Sequence, residues 1–133
     1  MTLEYRVNAP ITPVQLAEVF AKSGIRRPTH DLARMQKMLA HANLTVTAWD
    51  GEALVGVARA LTDFCWCCYL SDLAVDSVYQ HQGIGKALIE RVRAETGDET
   101  SLLLLAAPEA MDYYPKVGFE PALNGWILPR RER

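Results

Sequence analysis

The sequence lacks the features that mark membrane-spanning and secreted proteins. Its longest apolar stretch covers residues 102–107 and ends at Pro108, far short of the ~20 residues that a membrane span requires. Residues 1–6 carry charges early, with no hydrophobic run behind them, so they do not have the form of a signal peptide. We therefore expect a chain without a membrane partner.

An excess of positive charge is also absent. Lys and Arg number 14 against 16 Asp and Glu, which gives a net charge of -2, and no long basic run occurs. A protein that holds duplex nucleic acid normally carries a basic surplus. No nucleic-acid partner is therefore expected.

Cysteine is scarce, and the few cysteines are too close together in sequence to form a disulfide framework. The chain has three cysteines, Cys65, Cys67 and Cys68, and an odd, clustered set predicts a reducing, cytoplasmic compartment. The cluster has neither the spacing nor the second ligand pair of a zinc site. We therefore predict no metal.

The residues that are present predict one globular domain over residues 1–133, since half of them are hydrophobic and this length suits a single core. Strands are predicted at 3–8, 44–49, 53–61, 67–75 and 102–106, with a final pair after residue 119. Helices are predicted after Thr12 and after Asp31, which can cap them, and at 83–95 and 109–116.

The order β-α-α-β-β-β-α-β-α-β-β predicts an α/β fold with a mixed sheet and helices on both faces. Strands 67–75 and 102–106 are expected to be parallel, because a helix connects them. Strand 102–106 is apolar throughout and is expected to be central.

The most informative stretch lies where a strand ends at Val75, a polar loop follows, and Gly83 and Gly85 open a helix. Unpaired N–H groups and the helix dipole make such a start an anion site, and glycines allow a diphosphate to approach. The spacing is not that of a Walker loop, and Leu88 stands where a dinucleotide fingerprint needs a third glycine. On the glycines alone, an ordinary helix start without a ligand is an equal alternative.

Two motifs together resemble one family. Gln80-His81-Gln82-Gly83-Ile84-Gly85 resembles the Gln/Arg-x-x-Gly-x-Gly/Ala signature of the GNAT superfamily of acetyl-CoA-dependent N-acetyltransferases. The run from Ala110 to Phe119 resembles the family's second signature, Ala-x-x-aromatic-Tyr-x-Lys-x-Gly-Phe. The resemblance implies the GNAT fold and acetyl transfer to an amine.

The resemblance also implies the coenzyme-binding residues. Main-chain amides of residues 82–87 would hold the pyrophosphate, and the strand before them would pair with the pantetheine arm, with the side chain of Lys86 at most a helper. Many members have Asn where this chain has Ala107. The expected set is Leu73, Ala74, Val75, Gln80, His81, Gln82, Gly83, Ile84, Gly85, Lys86 and Ala87.

Two catalytic residues are expected. Tyr114 matches the family tyrosine that protonates the departing sulfur, and a phenol with a pKa near ~10 stays protonated at neutral pH; a core tyrosine is the alternative. Asp72 is the candidate base, direct or through water, with an apolar sheet raising its pKa. A structural role for Asp72 is an equal alternative. Strict alternation places Asp72 on the face opposite Tyr69, unless a bulge intervenes.

A closer resemblance concerns the acceptor. Gly24-Ile25-Arg26-Arg27, residues 59–63 and residues 79–83 look like the plant plastid GNAT branch that acetylates serotonin, related amines and some protein lysines. The implied acceptor is a small amine, contacted by Arg26, Asp63, Trp66 and Tyr69; hairpin packing is the alternative for the aromatic rings.

A protein lysine or N-terminal amine acceptor, and a catalytically silent acyl-CoA sensor, are the competing functions. An exposed terminal strand could support a homodimer.

Overall fold

The computed structural model describes residues 2–132; Met1 and Arg133, the two ends of the predicted domain, lie outside the described residues. The strands are β1 (Leu3–Val7), β2 (Leu44–Asp50), β3 (Ala53–Thr62), β4 (Cys67–Val75) and β5 (Ser101–Leu103). The helices are α1 (Pro13–Ser23), α2 (Leu32–His41) and α3 (Ile84–Thr96). No helix within this part of the chain has the length and apolar character needed to cross a bilayer.

The five strands form one sheet in the order β1-β2-β3-β4-β5. The first three pairs are antiparallel and β4 pairs with β5 in parallel, so the prediction of a parallel pair joined by a helix is confirmed. α3 packs on one face of the sheet, over a core that includes Val46, Leu70 and Leu88. α1 and α2 pack on the other face, around Phe20, Met35 and Val57. The predicted mixed α/β class is therefore confirmed.

A β-bulge in β4 changes which side chains share a face. Arg59 pairs with Asp72 and Ala60 pairs with Leu70, so Ser71 is an extra residue in β4. Before the bulge, Leu70 faces α3; after it, the even-numbered positions face α1 and α2, as Ala74 does. The bulge therefore brings Tyr69 and Asp72 to the same face, where strict alternation would separate them.

Three predicted elements near the end of the chain differ in the structure. The apolar strand is not central: β5 lies at the sheet edge and has only three residues, because the chain diverges from β4 after Leu103. The helix predicted at 109–116 is two short 3₁₀ turns, Pro108–Ala110 and Tyr114–Val117. Pro115 has no N–H to continue an α-helix there.

The final strand pair is not formed within residues 119–132. The segment is irregular, with a turn at residues 123–124. Its main-chain hydrogen bonds to described residues are local: Phe119 donates to Tyr114, and Gly125 donates to Ala122. A strand needs a neighbouring edge to pair with, and this segment pairs with none in the described chain. The side chains of Leu123, Trp126, Ile127 and Leu128 are exposed.

Candidate active site

A groove opens where β4 and β5 separate. The two strands pair only between residues 67–69 and residues 101–103, and beyond them lies a cavity of about 1420 Å³. The α1–α2 loop, the second half of β4, residues 104–110 and Tyr114 line it. The fold thus leaves one edge of β4 uncovered inside a groove.

The uncovered edge presents main-chain groups. The Asp76 N–H donates to the Val55 carbonyl in β3 at 2.8 Å, so the main chains of Val75 and Leu73 point the other way, into the groove. The Val75 carbonyl accepts a hydrogen bond from the Gln80 side chain at 2.8 Å. The edge of β4 is therefore available to an extended ligand mainly around Leu73.

Gln80 fastens the loop that follows β4. Besides Val75, its side-chain amide donates to the Ser23 carbonyl at the end of α1, at 3.3 Å. Gln80 lines the groove with Leu73, Ala74 and Val75, whereas residues 81–87 lie outside the lining. The structure therefore places the predicted coenzyme set in two adjoining parts, which Gln80 joins.

The start of α3 is shaped by glycine. Gly83 precedes the helix with φ 84°, a left-handed conformation that glycine adopts without strain, and no described side chain caps the helix. The first helical hydrogen bond runs from the Ala87 N–H to the Gly83 carbonyl at 3.0 Å. The amides of Ile84, Gly85 and Lys86 come before it, whereas the amide of Ala87, which belongs to the predicted set, is already paired within the helix.

The Tyr113 hydroxyl leaves little room for a side chain at Gly85. A Cβ built at Gly85 would stand 2.8 Å from the Tyr113 hydroxyl oxygen. Tyr113 contacts Tyr114 edge to face, with ring centroids 5.2 Å apart, and Tyr114 contacts Phe119 in the same way at 5.5 Å. The aromatic cluster is thereby packed against the first turn of α3.

Tyr114 lines the groove and has the properties of a proton donor. Burial raises the pKa of its hydroxyl, the neighbouring Tyr113 adds to the rise, and the positive charge of Arg27 opposes it. The hydroxyl is therefore protonated at neutral pH. Within residues 2–132 it has no hydrogen-bond partner, unlike the Tyr79 hydroxyl, which donates to Asp50.

Asp72 does not lie in apolar surroundings, and that expectation is wrong. Its buried carboxylate accepts from the Arg27 Nε at 2.5 Å on one oxygen and from the Arg59 Nε on the other. Arg59 also donates to the Ser71 hydroxyl at 3.0 Å, and Arg27 donates to the Ser71 carbonyl at 3.0 Å. Arg27, Arg59 and Asp72 thus form an ion-pair cluster that ties the α1–α2 loop to β3 and β4.

Sequence reasoning missed the role of both arginines. Arg59 stands between Ala58 and Ala60 in a buried strand, and a charged side chain in such a place normally has a buried partner. That signal was available. The identity of the partner was not, because it depends on the register of β3 against β4.

Only two of the four residues predicted to contact the acceptor lie in the groove. Arg26 and Tyr69 line the groove, whereas Asp63 and Trp66 do not. The Asp63 carboxylate accepts from the main-chain N–H groups of Cys65, Trp66 and Cys67 at 2.8–3.0 Å, and these bonds, that from Cys67 foremost, hold its pKa well below the usual range. Asp63 therefore organises the β3–β4 turn, and Trp66 is exposed at its tip.

The cysteines do not form a metal site with other described residues. Cys65 and Cys67 are exposed and Cys68 is buried, and all three are free thiols. Within residues 2–132, no three His, Cys, Asp or Glu side chains are grouped so that they could hold an ion.

A parallel strand pair that diverges beside a glycine-opened helix, with a tyrosine across the gap, defines the acyl-coenzyme A N-acyltransferase class of fold. Within that class, residues 12–124 match the family described as the acetyltransferase (GNAT) domain. The chain belongs to this family.

Plant proteins are among its curated relatives. GCN5-related N-acetyltransferase 2, chloroplastic, of Arabidopsis thaliana is 42% identical over 83 residues, which cover 57% of this chain and 32% of that protein. GCN5-related N-acetyltransferase 1, chloroplastic, of the same plant is 29% identical over 126 residues, 90% of this chain and 63% of that protein. The chain thus spans one third to two thirds of these relatives. The matches confirm the resemblance to the plant branch at modest identity.

Solved structures share the fold. A probable acetyltransferase of Staphylococcus aureus superposes with a TM-score of 0.82 at 23% identity, over 97% of this chain and 99% of that one. The aminoglycoside N-acetyltransferase AAC(6′)-Iy, solved in complex with CoA, superposes with a TM-score of 0.69 at 17% identity, over 98% and 95% of the two chains.

Proposed function

We propose that the protein is an N-acetyltransferase that moves the acetyl group of acetyl-CoA directly to a primary amine in a ternary complex. The observation that carries this proposal is the open edge of β4, with the start of α3 at one end and Tyr114 across the groove. The membership of the chain in the GNAT family supports it.

The donor would be held mainly by main-chain atoms. The amides of Ile84, Gly85 and Lys86 offer N–H groups and the positive end of a 13-residue helix to the pyrophosphate, and Leu73 offers a strand edge to the amide-containing arm. The side chain of Lys86 is exposed, 4.0 Å from Glu90. Main-chain donors explain how a chain with a net charge of -2 could bind a polyanion.

In the reaction, the neutral amine attacks the thioester carbonyl, an N–C bond forms and the C–S bond breaks. Tyr114 would give its hydroxyl proton to the departing thiolate and regain one from solvent. The amine gives up its proton to water. We assign Asp72 to positioning rather than to the base, because both of its oxygens already face guanidinium groups.

The charge of the groove bears on the acceptor. Three acidic side chains line it, against the five arginines Arg26, Arg27, Arg34, Arg59 and Arg130. Such a lining repels a polycation. It favours a small amine with a single ammonium group, and the ring of Tyr69 offers a surface to an aromatic one.

A protein lysine is the second candidate acceptor. It is supported by the name of a soybean relative, histone acetyltransferase TAP1 of Glycine max, 38% identical over 78 residues, 57% of this chain and 34% of that protein. The arginine-lined groove would select lysines in acidic rather than basic segments.

The test is release of coenzyme A thiol across a panel of amines, with Tyr114→Phe as the variant. Tryptamine-type amines should exceed spermidine by about tenfold or more in kcat/KM, since like charges penalise the polyamine. Tyr114→Phe should lower kcat by about 10²- to 10⁴-fold, as loss of a general acid does, with coenzyme affinity unchanged by calorimetry.

Tyr5→Phe is the matched control, since it removes a phenol hydroxyl from β1, at the opposite edge of the sheet, and should leave kcat unchanged. If the chain binds the coenzyme but releases no thiol with any amine, the result would indicate an acyl-CoA sensor and not an enzyme. No coenzyme binding at all would overturn the proposal.

A further inference from the structure

Positive charge is concentrated in the groove, although the chain as a whole has a slight negative charge. Five arginines line the groove against three acidic side chains, whereas the full chain has 14 Lys and Arg against 16 Asp and Glu. Four of the five come from the α1–α2 loop, α2 and β3, and we call them the arginine wall: Arg26, Arg27, Arg34 and Arg59. Arginines gathered in this number indicate an anion, because the planar guanidinium matches carboxylates and phosphates.

The arginine wall lies away from the proposed phosphate site. That site is at the first turn of α3, and residues 81–87 do not line the groove. Arg27 instead binds Asp72, which precedes Leu73 in β4 and so lies on the other side of the proposed donor edge. Burial raises the pKa of the Tyr114 hydroxyl and the charge of Arg27 opposes the rise, so Arg27 is near the proposed proton donor. The wall is therefore placed to meet the acceptor.

Two members of the arginine wall have no counter-charge in the part of the chain that the structure describes. Asp72 is shared by Arg27 and Arg59. Among residues 2–132, no side chain forms an ion pair or hydrogen bond with the guanidinium of Arg26 or Arg34. Both side chains are exposed and both line the groove. Two guanidinium groups are therefore free to bind a ligand.

The main chain that carries these two arginines is held by hydrogen bonds. The Arg26 carbonyl accepts from the Arg27 guanidinium at 2.7 Å, and the Asp31 N–H donates to the Pro28 carbonyl at 3.0 Å. The Asp31 carboxylate accepts from the main-chain N–H of Arg34 at 3.0 Å, as the cap of α2. The loop is thus ordered before a ligand arrives, which lowers the entropic cost of binding.

We propose that the acceptor is an amine that also carries a carboxylate, and that Arg26 and Arg34 bind this carboxylate at the mouth of the groove while the amine reaches Tyr114. The inference rests on the proposed function, since it names the class of its acceptor. A zwitterion has no net charge, so the groove does not repel it as it repels a polyamine. The two arginines are exposed and Tyr114 is half-buried, so the two ends of the acceptor lie apart, as in an ω-amino acid.

The experiment compares ω-amino acids with their amides as acceptors in the thiol-release assay. The amide has the same length and the same amine but no negative charge, so the ratio of kcat/KM for the acid to that for the amide reports carboxylate binding. The series γ-aminobutyrate, δ-aminovalerate and ε-aminocaproate should include an acid that exceeds its amide by about tenfold or more, as a charge-assisted hydrogen bond to arginine provides. Equal values throughout the series overturn the inference.

Substitution of the two arginines tests where the carboxylate binds. Arg26→Gln combined with Arg34→Gln should lower the acid-to-amide ratio to about one. Arg91→Gln is the matched control, because Arg91 is an exposed arginine on α3, 3.9 Å from Glu95 and outside the groove lining, and it should keep the wild-type ratio. Circular dichroism checks that each variant is folded. A wild-type ratio in the double variant contradicts the assignment to Arg26 and Arg34.

Binding measurements separate this inference from the proposed function. Calorimetry compares δ-aminovalerate with its amide, with and without coenzyme A. If the acid binds more tightly but no amine releases thiol, acetyl transfer fails and the carboxylate site stands. If amines are acetylated but acid and amide behave alike, the carboxylate site fails and acetyl transfer stands. A double variant that loses affinity for coenzyme A without a change in the acid-to-amide ratio would assign the two arginines to a phosphate of the donor, and the inference would be wrong.

Discussion

At the scale of single residues, the net charge on the proposed acceptor side of the groove depends on one carboxylate, that of Asp72. Asp72 neutralises one of two guanidinium groups, and its side chain is fully buried. The cluster therefore carries a net positive charge while it holds Arg27 and Arg59 in fixed positions. In the proposed reaction, this charge would favour the neutral, reactive form of a bound amine over its cation.

Asp72→Asn should destabilise the fold, because it leaves two guanidinium groups without their counter-charge. Removal of one partner from a buried ion pair costs about 3–5 kcal/mol in the free energy of unfolding, which urea denaturation measures. Asp31→Asn makes the same chemical change at the half-buried cap of α2, where Asn caps as well as Asp, and should cost little. Equal losses in the two variants would contradict the role given to the cluster.

The pH dependence of turnover should reflect Tyr114. Because burial raises the pKa of its hydroxyl above the ordinary value near ~10, the proton-donating form persists to higher pH than that of a free phenol. With saturating amine, kcat should stay level on the alkaline side up to about pH 10 and fall only beyond it. Initial rates from pH 6 upward would show this. A decline already between pH 7 and 9 would assign the proton to another group.

At the scale of elements, the first turn of α3 lies close to the aromatic cluster at Gly85, next to the Tyr113 hydroxyl oxygen. Gly85→Ala would place a methyl group 2.8 Å from the Tyr113 oxygen, and overpacking of this kind costs about 1–3 kcal/mol. Thermal unfolding should therefore show a lower Tm, and displacement of the turn should weaken coenzyme binding in calorimetry.

The double variant Gly85→Ala with Tyr113→Phe is the control. It removes the clashing oxygen, and the next ring atom lies at 3.6 Å, an ordinary contact. Stability and coenzyme affinity should both recover. If the double variant stays as weak as Gly85→Ala alone, main-chain conformation rather than contact with Tyr113 requires the glycine.

Structural elements that depend only on neighbouring residues in the chain could be predicted from the sequence. Gly83 and Gly85 after a polar loop predict a helix start. Thr12 caps α1 before Pro13 as predicted, and the structure adds a capping box with Gln15. The bulge at Ser71 could not be predicted, because an extra residue in a ladder exists only relative to the register of the partner strand. The pairing of Arg59 with Asp72 depends on the same register.

The prediction that β5 is a central strand was wrong for a different reason. Four consecutive leucines indicate that a strand is covered, but not what covers it. The final strand pair was predicted from apolar residues such as Trp126 and Ile127, and that pattern does not say which edge the segment meets.

At the scale of the whole molecule, the attachment of the α1–α2 loop through Arg27 affects which parts of the groove can change in sequence. Arg27 fastens the loop to β4 through a side chain, whereas the proposed donor contacts come from backbone atoms of β4 and α3, which substitutions largely leave in place. The proposed acceptor side therefore depends on side chains that substitution can change, whereas the proposed donor side depends on main-chain atoms that remain in place. Grafting a different 24–31 segment that retains Arg27 should redirect acceptor choice while the donor stays the same.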